Sequence, residues 1–196
     1  MSRCINHRST VPAGLTILLL GFTLLTLATA AAATPGFPDR GGFARAGVEA
    51  TRGPSTEEER QRVIAVTHKL EVTPLDPTLA QERDWARQWL VDVPDIRILT
   101  CTGLLAELRR PRYKFRPELW TQLRLASAAF LIEHPDQAGD RHAESLAGMQ
   151  SVLKAYSAII KTDPDAHSAF LDDLLVKQNQ GKLADFVREA TKPCHF

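Results

Sequence analysis

Eight consecutive residues, Arg109-Arg110-Pro111-Arg112-Tyr113-Lys114-Phe115-Arg116, hold five cations and two aromatic rings. Cations interleaved with aromatics can grip an anionic polymer, a lipid head group or an acidic peptide, by charge combined with stacking or shallow insertion. Part of the charge has a local use, because Arg109 and Arg110 fall at the predicted end of a helix, where cations meet the negative pole of the helix dipole. Arg112, Lys114 and Arg116 exceed that need. In the competing arrangement Tyr113 and Phe115 fold back onto the core and the segment is an ordinary solvated loop. Arg109, Arg110, Arg112, Tyr113, Lys114, Phe115 and Arg116 are therefore the candidate binding residues, and salt-sensitive attachment to an anionic partner is the expected chemistry.

Elsewhere the chain carries little local catalytic chemistry. His68, His134, His142, His167 and His195 have no second histidine three or four residues away and no glutamate three residues before them. Both common helical metal-ligand spacings are thus missing. A ligand set would have to converge from separate helices, for example His134, His142 and Glu144. No G-x-S-x-G, C-x-x-C-H, phosphate-binding glycine loop or dinucleotide fingerprint occurs, so no cofactor or metal is expected and an enzyme would need a dispersed site. Asp172 and Asp173 are neighbours in sequence and project about 100° apart on a helix. They read as a solvated helix flank rather than as an acid pair. Trp85, Trp89 and Trp120 suit either core packing or the walls of a small-ligand cavity between helices.

The first 33 residues place these groups in a compartment. Arg3 and Arg8 precede an apolar run from about Leu15 to Leu27, and Ala28 and Ala30 to Ala33 offer A-x-A cleavage registers, the pattern of an export signal. The competing expectation is an uncleaved anchor, since Val11 to Ala33 contains no charge and such a length can span a bilayer. Cleavage would leave 22 basic against 23 acidic residues. A near-neutral protein has no general attraction to nucleic acid or acidic membranes. A membrane would be met only through an uncleaved signal or through the basic loop. Cys4 would leave with the signal, and Cys101 and Cys194 would then meet an oxidising compartment, where one disulfide is the simplest outcome.

Three regions are predicted: a signal at residues 1–33, a linker at 34–54 and a folded part at 55–196. In the linker eight of 21 positions are Gly or Pro, which describes a disordered tether. From Ser55 onward apolar residues recur at helical spacing, so the expected class is all-α, one domain of six to seven antiparallel helices arranged as a bundle or a short stack of hairpins. Thr56 and Glu59 form a capping box ahead of the stripe Val63, Val66, Leu70. Asp76-Pro77 opens a helix carrying Trp85, Trp89 and Val93, closed by Pro94. Asp95 is expected to cap a third helix through Ile98, Cys101, Leu105 and Leu108. A fourth begins near Pro117 and ends before His134-Pro135, with a small-residue stretch at 126–129 that invites close helix approach. The longest carries Leu146, Met149, Leu153, Tyr156 and Ile160. Two short helices separated by Gly181 finish the chain and bring Cys194 towards Cys101.

Ala155-Tyr156, Ala158, Ile159 and Asp163-Pro164 resemble the second helix and terminal proline of a tetratricopeptide repeat, and Phe130-Leu131-Ile132-Glu133-His134-Pro135 echoes them 29 residues earlier. The spacing departs from the usual 34 residues, and the first-helix tryptophan, glycine and tyrosine pattern is missing. The resemblance implies a peptide-binding or scaffolding surface and assigns no binding residue. Taken together, the sequence leads to a secreted or periplasmic, non-catalytic helical protein that engages an envelope protein or an anionic envelope component. A small-ligand carrier with a pocket between helices, and an enzyme with a dispersed site, are the alternatives.

Overall fold

The computed structural model describes residues 52–109 and 112–194. The predicted signal and most of the predicted linker lie outside the described residues, as do Arg110 and His195. The described part is all-α, with no strand among the described residues. It comprises α1 (Glu57–Val72), α2 (Ala80–Asp92), α3 (Arg116–Glu133), α4 (Arg141–Thr162), α5 (Ala169–Asn179) and α6 (Leu183–Thr191).

Local sequence sets most of these boundaries. Thr56 and Glu59 close the reciprocal capping box at the start of α1, and Val63, Val66 and Leu70 are buried along it. Asp76 caps a 3-10 turn, Pro77–Leu79, that runs into α2, where Ala86, Trp89 and Leu90 are buried. Pro117 lies in the first turn of α3, Asp140 accepts the His142 and Ala143 amides at the start of α4, and Gly181 takes φ 71° between α5 and α6. A β-carbon there would be strained.

The predicted third helix does not form as expected. Residues 93–101 are non-helical, and only Thr102–Arg109 coils, as a 3-10 segment broken at Leu105. Asp95 has a different task. It accepts from the amide of Ser55 at 2.8 Å, the Ser55 hydroxyl at 2.7 Å and the Arg60 guanidinium at 2.9 Å, fastening the chain to the beginning of α1. Ile96 and Ile98, two residues apart, both pack against the α1/α2 core, which is the spacing of extended chain. Cys101, Leu105 and Leu108 are buried as expected and Ile98 partly so, with Leu104 added to them, while the expected helical backbone through 93–101 is absent.

The core has two parts that share α3. Leu125 and Ala128 face α1 and α2, while Leu119 and Leu123 join Met149, Leu153, Tyr156 and Ile159 of α4, together with residues of α5 and α6. The small-residue stretch does admit a close neighbour: a β-carbon on Gly148 of α4 would stand 3.1 Å from Ser127 Oγ and 3.2 Å from the Leu123 carbonyl. A β-carbon on Gly103 would likewise stand only 2.8 Å from the Ala190 carbonyl oxygen of α6. There the Cys101–Cys194 disulfide, with Cα atoms 5.9 Å apart, ties the end of α6 to the 3-10 segment.

The two proline motifs that resemble a tetratricopeptide repeat close α3 and α4 with matching 3-10 turns, Pro135–Gln137 and Pro164–Ala166. They terminate consecutive helices joined by residues 134–140, so each copy is one helix. A repeat of that family is a helix pair.

Candidate functional site

The basic segment is anchored by its aromatics. Phe115 is buried at 8% exposure, and Tyr113 packs edge-on against Phe115 and against Tyr156 of α4. The Tyr113 hydroxyl donates to the Ala166 carbonyl at 2.9 Å, its amide donates to the Leu108 carbonyl at 3.1 Å, and its own carbonyl accepts from the Arg116 amide at 3.2 Å. Burial pushes the Tyr113 phenol well above its usual pKa, so it remains a proton donor. Tyr113 and Phe115 thus hold the segment against the core, the arrangement that competes with insertion into a partner.

The cations divide into three groups. Arg109 and Arg112 are exposed. Lys114 is the member of the segment with an ion pair among the described residues, its Nζ lying 2.9 Å from Asp163 Oδ2 and 4.7 Å from the centre of the Phe115 ring. That hydrogen bond holds the Asp163 carboxyl below its ordinary range. Arg116 turns the other way, its guanidinium 5.9 Å from the centre of the Trp120 ring. Arg110 lies outside the described residues.

On one side of the segment is a cleft of about 500 Å³, lined by Arg112, Tyr113 and Lys114 opposite Asp165, His167, Ser168 and Phe170. Beside it the Tyr156 hydroxyl donates to Asp172 Oδ1 at 2.6 Å and accepts the Ser168 amide at 2.9 Å, while His167 Nδ1 lies 3.1 Å from the same carboxylate. Burial first, and the Asp172 carboxylate second, push the Tyr156 phenol up to about 12. Asp172 keeps the solvated character of a helix flank, its side chain 42% exposed, and adds a structural contact to it. Through Tyr156 it holds the amide of Ser168, the residue that precedes α5, whereas Asp173 pairs with Lys177 one turn on.

On the other side, between α2 and the start of α3, is a cleft of about 520 Å³ lined by Arg83 and Arg87 of α2, Arg116, Trp120 and Arg124 of α3, and the carboxylates Asp84 and Glu118. Arg83 donates to the Pro74 carbonyl at 2.8 Å, and Arg87 lies 3.2 Å from Asp84. Arg116 Nε and Glu118 Oε2 are both out of solvent without a hydrogen-bond partner. Leaving such a polar atom unpaired costs about 1–3 kcal/mol. Arg83, Arg87 and Arg124 were not read from the sequence as site residues. The signal was present, since Arg83 and Arg87 are one turn apart and Arg116, Trp120 and Arg124 recur every fourth residue, which places each set on one helix face.

The remaining candidates do not converge. Trp89 is buried, Trp85 lies under the Arg62 guanidinium at 3.8 Å, and Trp120 lines the arginine cleft, so the three tryptophans share no pocket. His134 packs at a tilt against Phe130, and Glu144 is buried in an ion pair with Arg141. Among the described residues no three His, Cys, Asp or Glu side chains gather as a metal site. A smaller groove between α1, α3 and α4 holds a polar chain in which Gln122 donates to Ser151 and Ser151 donates to Glu71. That chain satisfies buried groups where three helices meet. No protein-family model, curated protein or solved structure matches this chain.

Proposed function

We propose that the chain is an exported, non-catalytic helical binding protein that holds an anionic envelope partner on the cations of residues 109–116. The basic start, apolar run and alanine-rich end of residues 1–33, the pattern of an export signal, support the compartment. The observation that carries the binding reading is the exposure of Arg109 and Arg112 beside the buried aromatics. Tyr113 and Phe115 hold residues 112–116 to the core, and Arg109 and Arg112 are exposed beside them. Binding there forfeits less conformational entropy than binding by a floppy loop. On this reading the aromatics position the cations, and the contact itself is electrostatic.

The His167–Asp172 pair would be the start of an enzymatic reading, but the hydrogen bonds through Tyr156 and Ser168 already give it a structural task. An apolar carrier is equally poorly served, because charged side chains line both large clefts. The test is retention on an immobilised anionic polymer, dextran sulfate, across a sodium chloride series. The unaltered protein is expected to bind and to release as salt rises, because a modest number of surface cations is screened over a few ångströms at high ionic strength. A variant carrying Arg109→Gln, Arg112→Gln and Lys114→Gln is expected to lose most of that retention while keeping its helical circular dichroism. Equal retention of the variant would remove the proposal.

A further inference from the structure

We infer that the arginine cleft between α2 and α3 binds a phosphate group. Four guanidiniums, from Arg83, Arg87, Arg116 and Arg124, line one cleft against two carboxylates, Asp84 and Glu118. The excess is positive, and it is built from arginine alone, the side chain whose planar fork of N–H donors matches phosphate oxygens in pairs. A single carboxylate is satisfied by one such fork, whereas a phosphate monoester or diphosphate presents enough anionic oxygens for several. Arg116 Nε has no acceptor but is out of solvent, so the guanidinium excess around the cleft, and not that atom, is what an incoming oxygen meets. Trp120 adds an aromatic wall, and the volume of about 520 Å³ leaves room for whatever organic group the phosphate carries.

Each neighbouring charge has a defined effect. Asp84 is engaged with Arg87 and weakens that arginine's pull. Glu118 lacks a partner at Oε2 and would oppose an anion directly. The inference rests on the preceding reading in one respect, since Arg116 belongs to the basic segment as well as to the cleft. Arg83, Arg87 and Arg124 belong to the cleft alone, which separates the two experimentally.

The phosphate could come from a soluble phosphoester or from a lipid head group, and two probes distinguish them. Full-chain protein is titrated calorimetrically with inorganic pyrophosphate, and is sedimented with phosphatidylcholine vesicles with and without phosphatidylglycerol. Binding to pyrophosphate assigns a soluble ligand, and phosphatidylglycerol-dependent sedimentation assigns a lipid. In either case Arg83→Gln, Arg87→Gln and Arg124→Gln together are expected to weaken binding at least tenfold. Glu118→Gln is expected to strengthen it severalfold, a gain that misfolding cannot mimic. Failure of the unaltered protein to bind either probe, or equal binding by the triple variant, would overturn the inference. If the triple variant alters nothing while the residue 109, 112 and 114 variant abolishes polyanion retention, the cleft falls and the binding platform stands.

Discussion

Asp95 carries more of this fold than its place in a loop suggests. Partial burial disfavours its charge, but the hydrogen bonds from the Ser55 hydroxyl and amide and from Arg60 outweigh that and hold its pKa near 2, against an ordinary 3.8. A carboxyl depressed in the folded state contributes stability that is complete above its unfolded pKa and is lost as pH falls through the folded one. Asp95→Asn is therefore expected to destabilise the protein by about 1 kcal/mol at neutral pH, a modest figure because the site is open to solvent. The difference in thermal midpoint between the two proteins should shrink as pH falls from about 5 towards 2. A constant difference would assign the effect to packing. The sequence pointed to a helix cap at Asp95, where no helix follows, and could not show that it ties down a strap 40 residues from Ser55, because such a partner is chosen by the tertiary fold. Tyr113 and Phe115 were more legible: aromatics within a charged run had two fates, and burial decided between them.

At the scale of elements, helices whose apolar period and caps agree were readable from the chain. α1, α3 and α4 begin and end at their capping and proline signals. The 93–109 region was not, because Ile98, Cys101, Leu105 and Leu108 fit a helical period while Ile96 and Ile98 fit an extended one, and the competition was settled by contacts to α1, α2 and α6. The arginine cleft was missed for a related reason. Its two faces are periodic in sequence, but only the packing of α2 beside α3 makes them one site. Close packing of α3 on α4 gives a direct check. A larger residue at Gly148 must displace the Leu123 backbone and Ser127, so Gly148→Val is expected to cost about 1–3 kcal/mol by overpacking. That exceeds the few tenths gained in helix propensity. Urea unfolding measures it, and an unchanged midpoint would mean the helices part without penalty.

For the whole molecule, two cysteines and a helical period were enough to foresee an all-α fold closed by one bridge. They could not foresee that α3 would serve two cores at once. Cys101 and Cys194 are 93 residues apart, and the link joins the end of the chain to the segment that leads into the basic platform. Replacing both by Ser is expected to cost about 2–4 kcal/mol in urea unfolding. An unchanged midpoint would show that α6 is held by packing alone. Removal of residues 1–33 would leave 22 basic against 23 acidic residues, so any attraction to an anion would be local, as at the proposed platform and its flanking clefts. In-cell crosslinking in the native host, followed by mass spectrometry, compares the unaltered protein with the Arg109→Gln, Arg112→Gln, Lys114→Gln variant. Capture of one anionic envelope component by the unaltered protein, and its loss in an exported and folded variant, is the expected result. The same component captured equally by both would contradict the account.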